Sequence, residues 1–178
     1  MKQESIVKER QQPLMEGYAK DPKPAQVTDV AFVEDTDFQD PLLSHVFINE
    51  ELEVKFPVGV HRAVGGRHDY PNSGDLLCAS LASCLGTTIR MISNRMGIEL
   101  KKMKITAKAN ADVRGTLRVS SEVPVGFQSM SLEAEVQSLS PVKDEVLHKL
   151  LKAAEGSCII LQTINQGIPV DVNMKILH

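Results

Sequence analysis

Three observations predict an α+β domain with antiparallel sheet. Segments of strand period come first, then one long segment of helix period, more strands, two shorter helices and a last strand. The regular strand–helix–strand alternation of a parallel sheet is missing from that order. The chain has 178 residues, 42% hydrophobic and 24% charged, enough for one core of ordinary size and too apolar for disorder to be its main state.

Residues 1–26 read as an arm, rich in Lys, Glu and Gln and punctuated by Pro13, Pro22 and Pro24. A short helix over Ile6 to Gln11 is the only element expected there, and the arm is read as mobile or draped on a partner. Residues 27–178 form the single domain. Val27 to Glu34 reads as a strand, and Asp35 to Asp40 as an acidic turn. His45 to Asn49 and Leu52 to Val58 alternate as strands around a hairpin tip at Asn49–Glu50. His61 to Gly74 is a long loop by composition, with Gly65–Gly66, Pro71–Asn72 and Ser73–Gly74.

Asp75 to Met96 reads as one helix, capped by Ser73 or Asp75 and ended by Gly97. Leu77, Leu81, Leu85, Ile89 and Ile92 make its apolar stripe. Ala79, Ser80, Ala82, Ser83, Gly86 and Thr87 are small, so other backbones can approach, and the helix is expected to be buried all round. Met103 to Asp112, Thr116 to Pro124 and Met130 to Gln137 alternate as strands. In the last of these, Met130, Leu132, Ala134 and Val136 face inward and Ser131, Glu133, Glu135 and Gln137 face water. Ser140–Pro141 is expected to open a helix that ends near Gly156. A short helix from Ser157 to Ile164 and a strand from Val170 to Leu177 complete the chain.

A net charge of −3 gives no basic surplus for a nucleic-acid backbone, and 4% aromatics with no Trp give no base-stacking platform. No nucleic-acid or membrane partner is expected. The uninterrupted apolar runs are short, and the polar start resembles no secretory signal. An odd count of three cysteines then points to free thiols in a reducing cytoplasm.

Two of those thiols sit where helix geometry matters. Cys84 lies mid-way along the long helix, and Cys158 starts a helix, where unpaired amides favour an anion. Cys78 is six residues before Cys84, about 120° away around the axis. No metal site is expected: His61, His68 and Asp69 share a loop without diagnostic spacing, and no close-spaced ligand pair exists. No cofactor motif is present. A buried free cysteine is in general a small core residue.

Four segments resemble a known family. Pro71 to Leu85 (Pro-Asn-Ser-Gly-Asp-Leu-Leu-Cys-Ala-Ser-Leu-Ala-Ser-Cys-Leu) resembles the central-helix signature of the OsmC/Ohr superfamily of osmotically inducible and organic hydroperoxide resistance proteins. Val125-Gly-Phe-Gln128 resembles its Gly-Phe segment, Glu155-Gly-Ser-Cys158 its second cysteine motif and Gly167-Ile-Pro-Val170 its final turn and strand. The likeness runs from about Val54 to the C-terminus.

The resemblance implies antiparallel sheets wrapped around long central helices in an intertwined homodimer. It implies a thiol-dependent peroxidase for small apolar hydroperoxides, with Cys84 as peroxidatic and Cys158 as resolving thiol, re-reduced by an external dithiol. Cys78 is left as core. The family holds its thiolate with an Arg and a Glu. Here Asp75 stands near the acid's place, although Gly74 aligns there equally well. Residues 27–58 contain no Arg, so Arg62 and Arg67 are the nearest candidate cations. These departures favour an alternative, a non-catalytic homodimeric binding protein for a small apolar ligand. A third reading makes the arm a docking segment on a scaffold.

Overall fold

The computed structural model describes residues 5–35 and 38–176. In order these form α1 (Ile6–Lys20), β1 (Ala31–Val33), β2 (Leu43–Ile48), β3 (Val54–Gly59), α2 (Ser73–Met96), β4 (Leu100–Asn110), β5 (Ser129–Ser138), α3 (Asp144–Ser157) and α4 (Ile159–Gln166). Short 3-10 turns lie at Lys23–Ala25 and Arg62–Val64. Among the described residues there are two antiparallel sheets, β1–β2–β3 and β4–β5. The architecture is α+β, as the sequence predicts.

The arm differs from expectation. Instead of a short mobile helix, α1 runs 15 residues through Pro13 and lies along the C-terminal half of α2. Ser5 caps it by accepting from the Lys8 amide at 3.1 Å, and its hydroxyl donates to Asn94 Oδ1 at 2.7 Å. Arg95 donates to Gln11 at 2.8 Å. No residue of α1 is buried, so polar contacts hold it in place.

The predicted hairpin between β2 and β3 is present, but its tip spans 49–53. Asn49 (φ 64°) folds the tip by accepting from the amides of Glu51 and Leu52. The glycine-rich loop that follows is a tight turn. A Cβ on Gly66 would come 1.9 Å from the Val60 carbonyl oxygen, so only glycine fits.

Helix α2 starts with a capping box. Asn72 accepts from the amides of Gly74 and Asp75, and Asp75 accepts from the Asn72 amide at 2.9 Å. Gly97 (φ 69°) ends it. Leu81, Leu85 and Ile89 of the predicted stripe are buried, and Gly86 is buried facing Met103 and Ile105 of β4. The β4–β5 register pairs Met103 with Val136, Ile105 with Ala134 and Ala107 with Leu132, so the predicted residues share one face, on which Met103, Ile105, Leu132 and Val136 pack against the core and Ala134 stays exposed. By length and composition α2 would suffice to cross a membrane, yet its packing on β4, α3 and α4 makes it the core helix.

Four expectations fail. Helix α2 is not covered all round within its own chain: Ala79, Ser80, Ser83 and Thr87 form an exposed stripe of small residues. Thr116 to Pro124 is no strand, because the chain doubles back until a Cβ on Gly115 would lie 2.5 Å from the Pro124 carbonyl oxygen. Gln128 closes this loop by donating to the carbonyls of Pro124 and Gly126 and accepting from the Asp112 amide. Helix α3 opens at Asp144, with Asp144 and Glu145 against the positive end of the helix, rather than at Ser140–Pro141. Finally, residues 168–176 pair with no strand, while Leu177 lies outside the described residues.

Candidate functional site

Packing of α2 against α3 and α4 brings the two singled-out cysteines together. Cys158 is the single residue between α3 and α4, ending one helix and starting the next. It is fully buried in a cluster with Leu85, Ile89 and Ala154. Cys84 is half-buried and packs against the same cluster. Both are free thiols. Spacing along the sequence does not reveal this pairing, since 74 residues separate them, and it depends on the α3–α4 corner folding back onto α2.

Their environments differ. Burial pushes the Cys158 thiol above its ordinary range, because a thiolate there loses its hydration. The amides of Leu161 and Ile160, at the start of α4, pull the other way. The neighbouring Cys84 adds to the rise, since a second negative charge beside it is disfavoured. Cys158 is therefore a protonated, inaccessible thiol at neutral pH, while Cys84 is the member of the pair that solvent reaches.

The three charged residues expected beside the thiol are occupied elsewhere or placed apart. Arg67 pairs with Asp40 and with Asp69, and ties the β1–β2 loop to the loop before α2. It holds the Asp40 carboxyl below the usual range, helped by the Leu42 amide. Asp75 is spent on the capping box and lies nine residues before Cys84, about 13 Å along the helix axis. Arg62 sits exposed in its 3-10 turn, its carbonyl accepting from the Gly65 amide and its side chain making no hydrogen bond or ion pair among the described residues. Among the described residues, the two thiols sit in an apolar cluster, and no arginine is among the groups that shift Cys158.

Cys78 was expected to be core, and the structure places it half-buried at a different opening. That cavity, of about 450 Å³, is lined by His61, Asn72, Cys78, Phe127 and residues of the 111–128 loop, apart from Cys84 and Cys158. His61 and His68 meet edge to face at 4.9 Å. The His61 Nδ1 accepts from the Ala63 amide at 3.1 Å, which leaves the neutral ring's proton on Nε2. Among the described residues no cluster of three ligating side chains exists to hold a metal.

A second opening was not foreseen from the sequence. It is a cleft of about 480 Å³ between β5 and α3, floored by Leu85, Ile89, Leu132 and Leu161. His148, Lys152 and Glu155 line its α3 side at positions i, i+4 and i+7. That spacing was visible in the sequence, but helices commonly carry such charges on a solvated face.

Comparison with known proteins agrees with this fold. The OsmC family, described as "OsmC-like protein", matches residues 66–173. No curated protein matches the sequence. Among solved structures, an OsmC-like protein of unknown function from Vibrio cholerae is similar at a TM-score of 0.62 and 14% identity, over 78% of this chain and 94% of that one. An organic hydroperoxide resistance protein from Elizabethkingia anophelis follows at 0.59 and 18%, over 80% and 91%. The organic hydroperoxide resistance protein OhrB of Bacillus subtilis matches at 0.51 and 15%, over 79% and 93%. At such identities the likeness establishes the fold. The family match takes in α2, both Cys84 and Cys158 and the strands β4 and β5, more than half of the chain, and on that ground the chain belongs to the OsmC-like family.

Proposed function

We propose that the protein is a thiol-dependent peroxidase that reduces organic hydroperoxides. The observation that carries this reading is the meeting of Cys84, part exposed, with Cys158, fully buried, as free thiols in one cluster. The Cys84 thiolate attacks the terminal oxygen of R–O–O–H. The O–O bond breaks, Cys84 becomes a sulfenic acid, and the alkoxide leaves as an alcohol after taking up a proton. The Cys158 thiol then condenses with the sulfenic acid, forming a disulfide and releasing water. An external dithiol returns both sulfurs to thiols and is itself oxidised to a disulfide. A reducing compartment such as the cytoplasm suits this cycle. An apolar substituent on the peroxide gains burial energy that H2O2 lacks, about 25 cal/mol per Å².

The working unit is an intertwined homodimer. One chain exposes 14212 Å², against roughly 8,600 Å² for a compact monomer of this mass. Strands β1–β3 pack mainly on one another, and a lone three-stranded sheet needs something to cover its apolar face. Residues 168–176 carry Ile168, Val170, Val172, Met174 and Ile176 exposed at every second position, the pattern of a strand waiting for a neighbour. The small stripe of α2 is exposed on the same molecule. A second copy supplies cover for all three.

The test is a free-thiol count before and after one equivalent of an alkyl hydroperoxide, with H2O2 in parallel, on wild type and Cys84→Ser. Loss of two thiols to the alkyl peroxide, abolished in Cys84→Ser, is the expected result. No loss at neutral pH would overturn the peroxidase. The second reading, a non-catalytic dimer that binds a small apolar ligand, draws on the commitment of Arg67 to Asp40 and Asp69. It predicts a ligand that co-purifies and is visible by native mass spectrometry.

A further inference from the structure

We infer that the cleft between β5 and α3 is a separate binding site for an amphipathic monoanion, an apolar chain with a carboxylate head. Of the inward-facing residues of β5, Met130, Leu132 and Val136 are partly covered, but Ala134 is exposed, because the cleft opens directly above it. The volume of about 480 Å³ lies in the range of small-molecule sites. Its floor is aliphatic: Leu85 and Ile89 from α2, Leu132 from β5, Leu151 from α3 and Leu161 from α4. Such a floor takes a hydrocarbon body and gives no partner to a polar one.

The rim sets the head group. Lys152 lies at the mouth and makes no ion pair among the described residues, so its ammonium is available to a carboxylate. His148 lies one turn away. Its Nδ1 donates to the Asp144 carbonyl at 2.8 Å, which holds the ring in place against the opening. Glu155 lies on the far side of Lys152, three residues on, and repels an anion there, so the head belongs at the His148 end. The acidic residues Glu133 and Glu135 of β5 point to the sheet's other face. Neither Cys84 nor Cys158 lines the cleft, so its occupant is not positioned for attack by either sulfur. Leu85, Ile89 and Leu161 do form one wall with the thiol cluster, so a bound chain stiffens the packing around Cys158. The site stands whether or not the peroxidase reading holds.

The experiment is calorimetric titration of the intact protein with dodecanoate and, separately, dodecylammonium, both below micelle formation. Dodecanoate is expected to bind once per chain and at least ten-fold more tightly than the ammonium. Shortening the chain should weaken it roughly four-fold per methylene. Lys152→Glu should reverse the head-group preference. Ala134→Phe should abolish binding with secondary structure and oligomeric state unchanged, and Cys84→Ser should leave it intact. Equal or tighter binding of the ammonium would place the head at Glu155 and overturn the assignment. So would binding that survives Ala134→Phe. Absence of any binding by wild type would mean that the cleft is filled, by a segment of the second copy or otherwise, and would also overturn it.

Discussion

The exposed stripe of small residues on α2 makes a sharp test of assembly. Consider Ser83→Arg. Ser83 is exposed within the chain, and its hydroxyl donates to the Ser80 carbonyl one turn back, at 3.1 Å. On a helix open to water, the change would be worth about ±0.5 kcal/mol, and arginine's better helix propensity would offset the lost bond. If the stripe packs on the same stripe of a partner, the arginine has no room. Overpacking costs about 1–3 kcal/mol, and an unpaired charge withdrawn from water costs several more. A two-fold interface carries the substitution twice, so a penalty of about 4 kcal/mol per dimer is a low figure, and it weakens association roughly a thousand-fold. Sedimentation velocity over a dilution series reads this directly. Wild type should sediment at about 39 kDa, twice 19.6 kDa, at every concentration. Ser83→Arg should dissociate on dilution or fail to stay soluble. A Ser83→Arg protein that remains a dimer, with an unchanged unfolding midpoint, would refute the helix-to-helix assembly.

Three further outcomes follow from particular contacts. Asp75→Ala removes half of the capping box and should cost about 1 kcal/mol of stability, read by urea unfolding. The peroxide-driven loss of thiols should keep its rate, and a ten-fold fall in a folded variant would return Asp75 to the chemistry. Arg67→Gln should let the Asp40 carboxyl rise toward its ordinary value of 3.8, followed by NMR titration, again without slowing thiol oxidation. Cys158 has a folded pKa above its ordinary value of 9.0, so the stability it gives is complete below that value and is lost as pH rises through the folded one. The unfolding midpoint of wild type should therefore fall more steeply above about pH 9 than that of Cys158→Ala.

Much of this arrangement could be read from residue order alone, for a local reason. The apolar stripe of α2, the alternation of β4 and β5 and the Gly97 stop are short-range patterns that hydrophobic burial turns directly into structure. Thr116 to Pro124 misled because its alternation is also compatible with a loop, and the deciding contacts come from Gln128 and from Gly115 against Pro124. The C-terminal residues 168–176 alternate as a strand should, but a strand needs a neighbour, and one chain does not provide it. Helix α1 runs on past Gln11 to Lys20, with Pro13 inside it. The proline is accommodated in a helix that buries no residue and is held by polar contacts to Asn94 and Arg95.

At the site, the two cysteines were legible through motif likeness, and their adjacency is a tertiary fact. The charged partners were the least legible. The resemblance points to Asp75 as the acid and nearness in sequence to Arg62 and Arg67 as cations, whereas Arg67 goes to the carboxylates of Asp40 and Asp69 and Asp75, three residues after Asn72, goes to the helix start.

The inequality of the two sulfurs has a consequence for the return half of a redox cycle. In a Cys84–Cys158 disulfide, a reductant approaching from solvent can meet only the Cys84 side, because Cys158 is sealed in the core. The mixed disulfide would thus form on Cys84, and Cys158 would be expelled as the leaving group. A sulfur whose thiolate is disfavoured by burial departs slowly. Here the departing charge would be met by the amides of Ile160 and Leu161, the first turn of α4, until a proton arrives. The corner between α3 and α4 would then act as a receptacle for a transient anion, and turnover would be paced by how quickly that corner lets a proton in.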